Sequence, residues 1–420
     1  MHGFFGFWKN NFVSNQIVTS FCLCLTRSVS AALPTQPPTP SSAAGLLRLL
    51  RDGKPRTRAE LVSITGLSRP TVAQRIDQLL ELGYVTPIRE AVSTGGRPSS
   101  QIAFNPRARV VLAADFGALH ARIAITDLEG VPLAQLSADR DIADGPDAAV
   151  EWLLGSAEEL LAQLDLPRKR IAGVGIGVPG PVEFSTGRPI SPPIMPGWHR
   201  FDIPATIQAE LNAPVFVDND VNIMALGEQV SAWPDVTEMI FIKVATGIGA
   251  GVISGGMLQR GAQGAAGDIG HVAVPRAADT PCPCGNRGCL EAVASGRALA
   301  RALSTEAHPL HSHADVIALA QSGSVDAIQA IRQAGRDVGT VLTTCVSLMN
   351  PSTIVIGGAM AAAAEHLLAG VREVVYARSI PLTAEHLTIA PSRAASDAAI
   401  LGAARLAIDA IFDGLASDEG

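Results

Sequence analysis

Three of the chain's six cysteines fall close together, at Cys282, Cys284 and Cys289, with His271 a short distance upstream. One imidazole and three thiolates make a donor set suited to tetrahedral zinc. Six cysteines are too few to staple a 420-residue chain by disulfides, so the cluster points to metal in a reducing compartment. The short Cys-x-Cys step, with Gly285 and Gly288 beside it, lets the backbone close tightly around an ion. Four protein ligands complete the shell, which makes a structural zinc the expectation rather than a catalytic one. Any fold for this chain must therefore bring residues 271 and 289 to one point.

The rest of the chain is organised around at least two modules, as its length requires. Hydrophobic residues make up 47% and charged residues 17%, so sizeable cores are expected and disorder is not the default. Aromatics are scarce while Gly and Ala abound, which suits closely packed α/β layers. The net charge of −7 is unevenly spread: residues 41–105 carry nine Lys/Arg against five Asp/Glu, and residues 106–420 hold −13. A small basic module on a large acidic body fits a nucleic-acid reader joined to a ligand sensor.

Residues 1–40, rich in Phe and ending in the Pro/Thr/Ser stretch from Pro34 to Ser42, read as a disordered or mis-assigned N-terminal extension. A signal sequence is disfavoured, because Asn10, Asn11, Asn15 and Gln16 interrupt every apolar run. No transmembrane segment is expected, and a cytoplasmic location is.

Residues 41–105 read as a winged helix-turn-helix. Leu46, Leu47, Leu49 and Leu50 mark a first helix. Thr57 caps a second, whose apolar face is Leu61, Val62 and Ile64 and which stops at Gly66. Ser68 caps a third, with Pro70 acceptable in its first turn and Val72, Ile76, Leu79 and Leu80 inward. Tyr84-Val85 and Gln101–Phe104 form the wing around a Gly-rich loop. The recognition helix would present Arg69, Thr71, Gln74 and Arg75 to the major groove of double-stranded DNA, with Arg97 at the wing tip.

Beyond Asn105-Pro106 strands alternate with helices: Val110–Ala114, Ala121–Asp127, Ile171–Val178, Val215–Val217, Met239–Val244 and Ile354–Ile356, with helices such as 148–164 and 325–348 between them. Asp218-Asn219-Asp220 follows a strand and opens a helix, and Thr246-Gly247-Ile248-Gly249 is a Gly-rich turn.

The run Gly66-Leu67-Ser68-Arg69-Pro70-Thr71-Val72, with Gly95-Gly96-Arg97-Pro98, resembles the N-terminal module of repressors in the ROK family, which spans repressors, open reading frames and sugar kinases. Gly267-Asp268-Ile269-Gly270-His271 leading into Cys282-Pro-Cys-Gly-Asn-Arg-Gly-Cys289-Leu-Glu291 resembles that family's signature. The resemblance implies a two-lobed, actin-like (ribonuclease H-like) sugar-kinase fold over residues 106–415, with a sugar and a nucleotide in the cleft. It implies that Asn219, Asp220, Asp268, His271 and Glu291 hold a monosaccharide, Asp220 being the base in a kinase. It further implies that Asp115, Gly117, Thr246, Gly247, Gly249, Gly357 and Gly358 mark the ATP/Mg site. Two departures stand out: Asp268 where the family has Glu, and Ala118-Leu119 where kinases have Gly-Thr. Leu119 removes a hydroxyl from the first phosphate loop and adds bulk, so phosphoryl transfer is disfavoured. The expectation is a sugar-controlled transcriptional regulator acting as a homodimer or homotetramer, the alternative an ATP-dependent sugar kinase.

Overall fold

A computed structural model describes residues 42–88 and 100–417. The N-terminal extension and Arg97 lie outside the described residues.

The chain opens with α1 (Ala43–Leu50), a short strand β1 (Arg56–Thr57), α2 (Arg58–Thr65) and α3 (Arg69–Glu81). Local chemistry explains the breaks. Thr57 and Glu60 form a reciprocal capping box at the start of α2, and Gly66 ends it in the left-handed region. Ser68 caps α3 through the amide of Thr71, with Pro70 in the first turn. β2 (Val85–Ile88) and β3 (Gln101–Phe104) follow, and β3 lies between β1 and β2 in an antiparallel sheet. This is a winged helix-turn-helix, with β1 as a third strand that the sequence reading lacked. One core position also differs: Ile64, expected on the inner face of α2, is exposed.

Two similar lobes follow. The first has β4 (Val110–Phe116), β5 (Ala121–Thr126), β6 (Pro132–Ala138), α4 (Pro146–Gln163), β7 (Ile171–Val178), the small hairpin β8 (Val182–Glu183) and β9 (Arg188–Pro189), α5 (Ile203–Leu211) and β10 (Val215–Asn219). Its sheet runs β10-β7-β4-β5-β6, with the β4–β6 meander antiparallel and β7 and β10 parallel to β4. Helix α6 (Asp220–Ala232) then leads to the second lobe.

The second lobe is built from β11 (Met239–Val244), β12 (Ile248–Ser254), β13 (Met257–Leu258), α7 (Glu291–Ala294), α8 (Gly296–Leu303), α9 (His313–Gln321), α10 (Val325–Met349), β14 (Thr353–Gly357), α11 (Ala364–Arg378), α12 (Pro381–Ala384) and β15 (Thr388–Pro391). Its sheet order, β13-β12-β11-β14-β15, repeats that of the first: an antiparallel meander, then two parallel strands. The repeat is the two-lobed, actin-like arrangement expected.

The last helix, α13 (Ala398–Ser417), packs along α6 and beneath β4 and β7. The two helices touch backbone to backbone at Gly227 and Gly402, where any Cβ would collide with the carbonyls of Ala398 and Ile223. At its far end α13 carries Phe412, which meets Tyr84 and Phe104 edge to face at 5.9 and 6.3 Å and lies under the Arg51 guanidinium. Asp413 pairs with Arg48, and Asp409 with Arg51 at 3.7 Å. One hydrophobic core thus runs from Leu46 and Ile76 of the winged helix through Phe412 and Ile408 to Ile223 and Phe241 between the lobes. Among the described residues no helix is long and apolar enough to cross a membrane.

Candidate functional site

The four sequence-predicted metal donors converge. Their ligand atoms lie within 4.8 Å of one another. Sγ of Cys284 and Cys289 are 3.7 Å apart, as are Sγ of Cys282 and Nδ1 of His271. Donors about 2.3 Å from a common centre at tetrahedral angles stand about 3.8 Å apart, so these separations fit one ion without rearrangement. The loop is shaped for it: the Cys282 amide donates to the Asn286 carbonyl, and a bridge ties Ala273 to Cys289. Burial, with its own S–H donating to the neighbouring cysteine sulfurs, pushes Cys289 up to about 12, and burial raises Cys282 too. A cation beside them would favour ionisation of Cys282 and Cys289, while the Asn286 amide already draws Cys284 below the usual thiol range.

His271 links this cluster to the interlobe cleft. Its Nδ1 faces the thiols, while its Nε2 is 3.9 Å from the carboxylate of Asp268, itself half-exposed. The cleft has a volume of about 960 Å³, and Asp268, His271, Glu291, Asn219 and Asp220 all line it. Asn219 has structural bonds as well: Oδ1 accepts from the amide of Val221, capping α6, and Nδ2 donates to the Gly180 carbonyl at 2.9 Å. Glu291 Oε2 accepts from the Ile248 amide at 3.0 Å and occupies the space where a side chain on Gly247 would lie. Asp218, before the pair, accepts from Arg260 Nε at 2.6 Å and Asn222 Nδ2 at 2.7 Å, and Arg260 stacks on the Phe184 ring.

Asp220 is buried at the N-terminus of α6 and forms an ion pair with Lys243 of β11. Burial raises the Asp220 carboxyl above the usual carboxylate range, and the Lys243 charge opposes that rise. Burial likewise works against the Lys243 ammonium, but Asp220 and Asp115 together hold its value up. Lys243 was not among the sequence-predicted residues. Its signal was there, as a single charge inside the apolar run Met239-Ile240-Phe241-Ile242-Lys243-Val244.

The predicted phosphate-binding residues divide. Asp115, Thr246, Gly247, Gly249 and Gly358 line the cleft, whereas Gly117 and Gly357 do not. A Cβ on Gly357 would strike the Phe241 ring, so that glycine serves packing. The imidazole of His120 lies against Gly117, with Nε2 3.3 Å from Asp115 Oδ2. The Gly117 amide already donates to the His120 carbonyl at 2.8 Å. Leu119 projects, largely exposed, into the cleft. The first loop therefore has the Gly117 amide already engaged and the bulk of Leu119 and His120 where small residues and a hydroxyl would admit a phosphate.

On α3, Arg69 and Gln74 are exposed and Arg75 is half-buried. The Thr71 hydroxyl is engaged with Ser68 Oγ at 2.7 Å, in the helix cap.

A model of the ROK family matches residues 111–410, and a model of the MarR family matches residues 38–97. The chain belongs to the ROK family. It is 29% identical over 369 residues to the xylose repressor of Bacillus subtilis, covering 88% of this chain and 95% of that one. It is 30% identical to the N-acetylmannosamine kinase of Shigella flexneri, where 71% of this chain spans 98% of the kinase. Among solved structures, a ROK family transcriptional regulator described as a homolog of the E. coli MLC protein aligns with a TM-score of 0.77 and 27% identity, over 90% of this chain and 97% of that one. A glucokinase from Streptomyces griseus, solved with glucose and AMPPNP, aligns at 0.62 with 25% identity, over 71% of this chain and 99% of its own. The regulators thus match along nearly the whole chain, while the kinases have no counterpart to more than a quarter of it.

Proposed function

We propose that this protein is a DNA-binding transcriptional regulator, a repressor whose hold on its operator is set by a monosaccharide in the interlobe cleft. The observation that carries the reading is the single hydrophobic core joining the winged helix, through α13, to α6, the helix that begins at Asp220. A ligand at the N-terminus of α6 acts on an element in backbone contact with the helix that holds the DNA reader. For regulation the sugar must bind two arrangements with different affinity, since equal affinity shifts nothing.

In this reading the hydroxyls of the sugar meet Asn219, Asp220, Asp268, His271 and Glu291. The similarity to xylose repressors makes D-xylose the first effector to try. The His271, Cys282, Cys284 and Cys289 cluster holds a structural zinc, which supplies a fixed orientation for His271 and leaves its Nε2 for Asp268 or a sugar hydroxyl. Arg69, Gln74 and Arg75 read base edges, and the protein acts as a homodimer so that two readers meet paired half-sites.

The kinase reading is favoured by Asp220 at the cleft and the Thr246–Gly249 turn. Against it stand Leu119, His120 over Gly117, and Lys243 on the carboxylate that would be the base. Thermal shift of the zinc-loaded protein against monosaccharides, each with and without Mg-ATP, separates the two. A sugar that stabilises alone and changes retention of operator DNA supports the regulator. Sugar-dependent ADP release establishes the kinase instead.

A further inference from the structure

The two lobes exchange their central helices. Helix α6 follows β10 of the first lobe yet packs chiefly on β11 and β12 of the second, whereas α13 follows β15 of the second and packs on β4 and β7 of the first. The chain therefore returns from the second lobe, to the helix that carries the DNA reader, through the short segment 392–397.

This segment is held at both ends. At its start stands Glu228 of α6, a fully buried carboxylate. One oxygen accepts from the Arg393 amide at 2.8 Å and Trp233 Nε1 at 3.1 Å, the other from Ser392 Oγ at 2.6 Å and the Ala394 amide at 3.1 Å. The Arg393 guanidinium lies 3.7 Å above the Trp233 ring. A buried carboxylate with four donors is fully satisfied, so this junction moves as one piece with the end of α6. At the far end Arg122, on β5 of the first lobe, donates to the Ser396 carbonyl and to Asp397 Oδ1, the latter at 2.9 Å. Between the two holds Ala395 lies in the left-handed region at φ 48°, which a residue with a side chain keeps only where its surroundings impose it.

The two holds differ in exposure. Glu228 is sealed from water, whereas the Asp397 side chain is 60% exposed and its pair with Arg122 opens more readily. Arg122, Ser392, Ala395 and Ser396 line the interlobe cleft, while Asp397 lies outside it. Arg122 also stands directly across the β4–β5 ladder from Asp115, another residue of the cleft wall. A rearrangement in the cleft therefore reaches the weaker hold first.

Building on the sugar-sensor reading, we infer that residues 392–397 are the hinge on which the lobes turn, and that the Arg122–Asp397 contact is a latch belonging to the arrangement that grips the operator. Latched, α13 is fixed at its start by Arg122 and at its end by the packing of Phe412, so the reader rides on a helix clamped at both ends. Sugar favours the unlatched arrangement, in which α13 and its reader turn about the Glu228 junction. The strength of the latch then sets how much sugar is needed to release DNA.

Asp397→Asn in the full zinc-loaded chain weakens the latch from outside the cleft. The probes are D-xylose, D-glucose and N-acetyl-D-glucosamine, titrated by calorimetry and against protein held on its operator DNA. A sugar that binds should hold about two- to fivefold more tightly to the variant, the range an exposed ion pair supplies, and half-release of DNA should need correspondingly less sugar. Arg122→Gln removes both bonds and should act in the same direction by a larger factor. The double variant should match Arg122→Gln alone, because both changes act through one contact. Hydrogen exchange reads the hinge with no sugar present: in Asp397→Asn the amides of residues 394–397 should exchange faster while those of α6 do not. Unchanged exchange there overturns the latch whatever the sugar does. Faster exchange with unchanged or weaker sugar binding overturns its coupling to the cleft, and additive effects in the double variant overturn the single contact. Faster exchange with no sugar bound by either protein shows that the sugar reading has failed, and sugar control of the latch with it.

Discussion

Replacing Lys243 by methionine keeps most of the side-chain volume and deletes one charge of a buried pair. Asp220 is 4% exposed, so water does not take over the lost interaction. Breaking a buried ion pair from one side costs about 3–5 kcal/mol, because the remaining charge is left uncompensated. Asp115 adds to the cost, since it also opposes ionisation of Asp220. The pH dependence has a definite sign. A carboxyl whose folded-state value lies above its unfolded one favours folding below the unfolded value and loses that contribution as pH rises through the folded value. In Lys243→Met the upward shift of Asp220 grows, so the deficit is larger at neutrality and shrinks as pH falls towards the ordinary carboxylate range. Urea unfolding of the zinc-loaded protein at pH 7 and pH 5 reads both quantities, and the Asp220→Asn/Lys243→Met pair should recover most of the loss. A single-variant deficit below about 1 kcal/mol at pH 7, or no recovery in the double variant, would refute the claim that Lys243 is the counter-ion of Asp220.

Cys289→Ser should abolish stoichiometric zinc, measured by elemental analysis, and lower Tm by several degrees; retention of full zinc content would contradict a four-donor site. Phe412→Ala should destabilise by about 3–5 kcal/mol and free the winged helix for limited proteolysis while zinc content stays constant. Arg69→Ala or Gln74→Ala should cost about 1–3 kcal/mol on operator DNA, read by fluorescence anisotropy, with little change on random duplex. Ala118→Gly/Leu119→Thr should give no sugar-dependent ADP release while His120 and Lys243 remain; release from this double variant would show that the loop alone suppresses transfer.

The features readable in the sequence were the ones encoded locally. Thr57, Gly66 and Ser68 declare helix ends through their own caps, and the apolar periods of Val110–Ala114 or Met239–Val244 declare strands. The Cys/His cluster was visible because its chemistry has few other uses. Lys243 was legible only as an anomaly, since its meaning depends on β11 lying beside the start of α6. His120 reads as an ordinary loop residue until its ring is seen against Gly117. Ile64 obeys the helical period of α2 and yet faces solvent, because a short helix packed on α3 and β1 buries only a narrow stripe. Helix α13, whose contacts join reader and sensor, betrays nothing of that in its alanine-rich sequence.

The contact between Arg48 and Asp413 spans 365 residues of chain. A ribosome adding about 5–20 residues per second separates the birth of the two partners by roughly 20–70 s. Throughout that interval Leu46, Leu50, Tyr84 and Phe104 lack the helix that covers them, and the nascent winged helix exposes the apolar surface later sealed by Phe412. The DNA reader is therefore made before the sensor lobes and is among the last elements to reach its final packing. Its basic face can meet nucleic acid, and its bare apolar face a chaperone, before any sensor exists to govern it.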